Sequence, residues 1–132
     1  MNMTLLQAAK AAGTLGMLGE QILPGRMAKV IFDNRKELQP QVEFLESEER
    51  KLIAEYGAVF LENGRLSVKD DPEKNAEFCR RMDELHKIDV EIHPVIVDAD
   101  ELLDRASIKP KDIENISYLF AVDQKEEGEK KA

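Results

Sequence analysis

Between Pro24-Gly25 and Gly57, apolar residues recur at the spacing of one helical face. Met27, Ile31, Leu38, Val42, Leu45, Leu52 and Tyr56 lie three, four or seven apart. A stripe this long dominates whatever the chain folds into, because every other element must pack beside one long rod or against its two halves. Asn34 and Glu49 fill the seven-residue gaps in the stripe. Pro40 sits inside the run. It lacks a backbone donor and crowds the preceding turn, so the sequence predicts either a kink or two abutting helices over residues 25–38 and 40–56. Gly57 is placed to take a left-handed C-terminal cap.

A shorter helical pattern precedes it. Over residues 4–22, Leu5, Ala8, Ala12, Leu15, Gly19 and Ile22 form one stripe, with Thr4 as N-cap. Gly13, Gly16 and Gly19 fall within it. Glycine inside a helix costs about 0.8–1 kcal/mol relative to alanine, so the reading favours another backbone packed closely there over a weak helix. Leu23-Pro24-Gly25 supplies the turn.

After Gly57 the period changes. Residues 58–68 read as a β-hairpin around Asn63-Gly64, the dipeptide preferred by a type I′ turn. Asp71 and Pro72 then open a helix as N-cap and first residue, with Phe78, Met82 and Leu85 as its apolar stripe. Residues 88–93 alternate strictly and read as a half-buried strand that Pro94 ends or confines to a sheet edge. Asp98 caps a short helix through Asp104, Ser107 to Lys111 connects, and Asp112 to Phe120 forms a last helix. The tail, residues 123–132, carries seven charges in ten residues and is expected to be disordered. The expected fold is therefore α+β and mostly helical. A kinked helical hairpin would pack on a small antiparallel sheet built from the hairpin and the strand, all within one domain over residues 1–122.

Charge narrows the function. The chain has 27 acidic and 19 basic residues, net −8. The imbalance lies in the second half: residues 1–66 are net −1 and residues 67–132 net −7. Such a chain is poorly suited to bind nucleic acid directly, which requires lysine and arginine to neutralise phosphates. A single cysteine rules out an internal disulfide framework and any multi-cysteine metal site. The apolar N-terminus has no basic segment before it and is broken by Gln7, Lys10 and Glu20, so neither a secretory signal nor a membrane span is expected. The chain reads as cytoplasmic.

No catalytic constellation assembles from these residues. His86 and His93 stand on different elements, and Glu91 with His93 offers only two metal ligands on one strand face. Asp98, Asp100, Glu101 and Asp104 are dense enough to suggest calcium, but no glycine lies in the loop and its twelfth position is Lys109. They read as favourable charge at a helix N-terminus. Cys79 lies beside its helix's apolar stripe and two turns from His86, too far for a hydrogen bond, and is expected to be a small core residue. Arg26, Lys29, Arg35 and Lys36 make the start of the long helix basic, while Glu43 to Glu55 holds five glutamates.

The order of these features resembles a family of small proteins encoded by tailed bacteriophages and prophages. The residues that carry the likeness are Leu23-Pro24, Ala28-Lys29, Asn34, Leu38, Pro40, Val42, Glu49-Arg50 and Tyr56-Gly57. Asn63-Gly64, Pro72 to Leu85, Val90-Glu91-Ile92 and Ile113 to Phe120 follow in the same order. The likeness covers roughly residues 5 to 120. The family is one of unknown function, so the resemblance implies viral origin and carries over no activity, cofactor or catalytic position.

The sequence thus leads to a non-enzymatic accessory protein without a cofactor. It would bind and modulate another protein, such as a basic nucleic-acid enzyme of host defence. Glu91, Asp98, Asp100, Glu101 and Asp104 are the expected partner-binding residues. The alternatives are a virion or tail assembly component, self-associating through the first helix, and a metal-dependent enzyme using Glu91, His93 and the Asp98 cluster.

Overall fold

A computed structural model describes residues 1–120. Its elements are β1 (Asn2–Thr4), α1 (Leu5–Gly19), α2 (Gly25–Tyr56), β2 (Val59–Phe60), β3 (Leu66–Ser67), α3 (Pro72–His86), β4 (Asp89–Glu91), α4 (Ala99–Arg105) and α5 (Pro110–Ile116), closed by a 3-10 turn (Ser117–Leu119). This is a mostly helical α+β fold. The charged tail expected over residues 123–132 lies outside the described residues.

The long stripe forms one uninterrupted helix of 32 residues, about 48 Å at 1.5 Å per residue. Met27, Ile31, Asn34, Leu38, Leu45 and Leu52 are its buried side. Pro40 neither divides the helix in two nor ends it. It lies exposed on the opposite side, as does Lys36. The carbonyl that loses its donor there can be hydrated, so the proline is tolerated. Gly57 caps the helix at φ 64, its N–H donating to the Ile53 carbonyl.

Thr4 caps α1 in a reciprocal box. Gln7 N–H donates to Thr4 Oγ1 at 3.1 Å, and Thr4 N–H donates to Gln7 Oε1 at 2.8 Å. The helix stops at Gly19, three residues short of the expected end, and Ile22 is fully exposed rather than part of the stripe. Its buried face is Leu5, Ala8, Ala11, Ala12, Leu15 and Leu18. Alanines, not glycines, line the contact with α2, the most extensive interface in the fold. Open space surrounds Gly13 and Gly19, and only the Arg35 guanidinium approaches Gly16, at 3.4 Å. The close backbone packing expected at the glycines is absent: nothing lies within 4 Å of where a side chain would stand at Gly13 or Gly19, and what Gly16 meets is the flexible end of an α2 side chain, not backbone.

The strands form two separate sheets instead of one. β1 pairs antiparallel with β4 in the register Asn2–Glu91, Met3–Val90, Thr4–Asp89. Leu5 N–H to Ile88 and Ile92 N–H to Met1 extend the ladder at both ends. β2 and β3 form their own hairpin. Its turn is not type I′, which would need positive φ at both Asn63 and Gly64; only Gly64 has it, at 81. Leu61 N–H donates to Arg65 and Gly64 N–H to Leu61, a three-residue loop closed by a left-handed glycine. Asn75 of α3 anchors the hairpin by accepting from Val68 N–H at 2.9 Å.

Two apolar clusters meet along α2. One gathers α1, the first half of α2, Ile92, Leu102, Ile116 and Leu119. The other gathers Leu5, Leu45, Leu52, Val68, Phe78 and Leu85. Each fully buried Leu or Ile contributes about 1.5–3 kcal/mol of transfer free energy. The last helix begins at Pro110, two residues before the expected Asp112, and tightens into the 3-10 turn after Ile116.

Candidate functional site

The two polar residues that interrupt the α2 stripe each bind a distant segment. The Asn34 side chain, 2% exposed, donates from Nδ2 to the carbonyls of Val30 at 2.9 Å and Val95 at 2.8 Å. Its Oδ1 accepts from Val95 N–H at 2.9 Å. One turn along, Glu37 Oε2 accepts from His93 N–H at 2.6 Å. Farther along, Glu49 Oε2 accepts from His86 Nε2 at 2.7 Å, joining α2 to the end of α3. A buried amide without partners costs about 1–3 kcal/mol. Asn34 is satisfied because residues 93–97 cross α2 at that point and offer one free N–H and one free carbonyl.

This strap fixes the start of α4. Val97 N–H donates to Leu119 at 2.7 Å, and Val97 and Phe120 form an isolated parallel bridge. Asp98 follows directly and caps α4, its Oδ1 accepting from Glu101 N–H at 3.0 Å. Leu102 is buried and turns one side of α4 inward. Asp100 and Asp104, two residues to either side, project about 200° away at 100° per residue, and both are exposed. Glu101 lies half-buried beside Arg26 of α2, Oε2 to Nη2 3.9 Å. Asp100 and Asp104 form no ion pair among the described residues.

Asp98 and Glu101 share a shallow groove with Arg26, Met27, Val30, Ile96 and Val97. Glu91 does not join them. It stands opposite Asn2 in the β1–β4 ladder and lines a different depression with Asp89 and Val90. Four of the five expected partner-binding residues therefore belong to α4 and its cap, and the fifth belongs to a strand.

The metal-site alternative finds no geometry. Among the described residues, no group of three or more His, Cys, Asp or Glu side chains is arranged to hold a metal ion. His86 is committed to Glu49, and His93 is exposed. Cys79 is exposed, not a core residue: it lies on the shoulder of α3 next to buried Phe78, one position off the stripe. Near it, Arg81 bridges Glu55 and the Tyr56 hydroxyl, which itself donates to Glu77 at 2.6 Å.

A second depression is lined by Met1, Met3, Gln7, Lys10, Asn115 and Tyr118, among others. Burial, reinforced by the nearby Glu37 carboxylate, pushes the Tyr118 phenol up to about 12. It remains a neutral donor at any physiological pH. Among the exposed apolar side chains that the sequence did not reveal is Phe60 of β2, 71% exposed between the exposed Val59 and Leu61. The hairpin was expected to share one sheet with the strand over residues 88–93, and among the described residues β2 pairs with β3 alone.

Among the described residues, no helix is long and apolar enough to cross a membrane. Comparison of the chain with protein-family models, with characterised proteins and with solved structures finds no match.

Proposed function

We propose that this chain is a non-enzymatic accessory protein of a tailed phage that acts in the host cytoplasm by binding and modulating another protein. The partner class is a basic nucleic-acid enzyme, such as a nuclease of host defence. The observation that carries the reading is the outward α4 face, where Asp100 and Asp104 stand in solvent without internal counter-charges among the described residues. Residues 67–120 hold 14 acidic against 8 basic groups, net −6, so the wider surface reinforces the same sign.

The physics favours steering over raw affinity. An exposed ion pair adds only about 0–1 kcal/mol. A one-signed surface, however, accelerates encounter with a basic groove and repels competing phosphates. The exposed Phe60 hairpin supplies the apolar contact that charge alone does not.

The test is affinity capture of the tagged chain from bacterial lysate, with and without phage infection, followed by reconstitution with the purified candidate. Recovery of a nucleic-acid enzyme in both lysates, inhibited on reconstitution, supports the reading. Recovery of nothing but phage structural proteins, and only after infection, replaces it with the second reading, a virion or tail assembly component. That reading draws on α1, whose Gly13 and Gly19 leave bare backbone open on the surface. Its own check is whether the chain copurifies with intact particles.

A further inference from the structure

The β1–β4 sheet leaves one side of β4 without a strand. Among the described residues, β4 pairs with β1 alone, in the register Asn2–Glu91, Met3–Val90, Thr4–Asp89. Leu5 N–H donates to the Ile88 carbonyl and Ile92 N–H to the Met1 carbonyl. Hydrogen-bonded and non-hydrogen-bonded pairs alternate along an antiparallel ladder. Ile88, Val90 and Ile92 therefore spend their backbone groups on β1, while Asp89 and Glu91 turn theirs outward. No hydrogen bond among the described residues engages these outward N–H and C=O groups. The open edge is short. The next outward N–H, that of His93, is taken by Glu37 at 2.6 Å, and Pro94 has none.

The side chains at this edge sort by face. Val90 is half-buried and Ile92 1% exposed, on the core side with Met3. Asp89 and Glu91 stand on the other face in solvent, and with Asn2 and Val90 they line a shallow depression. Neither carboxylate forms an ion pair among the described residues. Open backbone beside two like charges selects the occupant. A second copy added antiparallel about Val90 would set Asp89 against Glu91 of the other chain, and like charges directly opposite repel. A strand with lysine or arginine at two alternate positions sets a cation opposite each carboxylate instead.

We propose that the outer edge of β4 receives an extended basic segment of a partner protein as an added antiparallel strand. The N–H and C=O groups of Asp89 and Glu91 bond its main chain, and their carboxylates select its two cations. The residue between the cations lies on the side of Val90 and Ile88 and is apolar, since Ile88 is 45% exposed there. The edge is separate from α4, and the proposal does not depend on the reading given to that helix.

The test titrates the capped peptide Val-Lys-Val-Lys-Val into the isotope-labelled full chain, followed by amide chemical shifts and hydrogen exchange. A twin peptide carries N-methyl groups on both lysine amides, which keeps the charge and removes the donors that strand pairing needs. Shifts should centre on residues 88–92, and saturating peptide should slow exchange at the Asp89 and Glu91 amides at least about tenfold. The methylated twin should bind at least about tenfold more weakly. Asp89→Lys with Glu91→Lys should weaken binding at least about tenfold and turn the preference to Val-Glu-Val-Glu-Val. Both sites are exposed, so circular dichroism of the double variant should match the wild type. Equal binding of the methylated twin overturns the proposal, because charge alone then holds the peptide. Shifts confined to residues 98–104 overturn it in favour of α4. So do Asp89 and Glu91 amides already protected in the free chain, or no binding at about 1 mM peptide.

Discussion

Asn34 shows how a single polar residue in an apolar stripe can organise structure far away in sequence. Its amide is used in three hydrogen bonds, two of them to Val95. Asn34→Ala should cost about 2–4 kcal/mol in chemical denaturation, because it leaves a cavity and strands the backbone groups of the strap. Unchanged stability would mean that the strap does not depend on this clasp. Tyr118 gives a second residue-level test, through pH. Its phenol titrates near the ordinary 10 when unfolded and at about 12 when folded. The folded form therefore holds its proton more tightly, and that stability is complete below pH 10 and lost as pH rises toward 12. The loss should be on the order of 1–2 kcal/mol once partial exposure is allowed for. Tyr118→Phe should flatten that part of the alkaline stability curve, and phenolate absorbance should show a late-titrating tyrosine. The positions of Asn34 and Glu49 in the stripe were legible as gaps, but their partners were not. Each partner lies tens of residues away, and periodicity carries no information about what fills a gap.

At the scale of elements, long periodic segments were readable and short ones were not. α2 and α3 follow directly from apolar spacing, and Asp71, Gly57 and Thr4 cap as their side chains or flexibility dictate. β1 was invisible: three residues allow no alternation to be counted, and its pairing with β4 is set by tertiary contact. The glycines of α1 misled because composition tells nothing about direction. The consequence is measurable. Since nothing approaches Gly13, Gly13→Ala should stabilise the protein by about 0.5–1 kcal/mol through helix propensity alone. A loss of stability would restore the close-packing reading. Gly64 should respond in the opposite sense. At φ 81 an alanine is strained, so Gly64→Ala should lower stability by about 1 kcal/mol and leave the helices intact by circular dichroism.

For the whole molecule, α2 acts as a spine with separate tasks on its sides. Its buried stripe holds α1 and α3, and Asn34 and Glu37 hold the strap that delivers α4. The acidic cluster was legible as a cluster, because four of its five residues are close in sequence. That Leu102 turns Asp100 and Asp104 outward, while Arg26 meets Glu101, required the fold. Glu91 was grouped with them by charge alone, and the β1–β4 register takes it elsewhere. The central claim is that the α4 carboxylates steer a basic protein partner. Its most direct measurement is the association rate with the captured enzyme as a function of salt, for the wild type and for Asp100→Lys with Asp104→Lys. The wild-type rate should fall steeply as salt rises. The double variant should associate at least about tenfold more slowly at low salt, with a flatter dependence and unchanged helicity. Equal rates and equal salt slopes for the two proteins would contradict it.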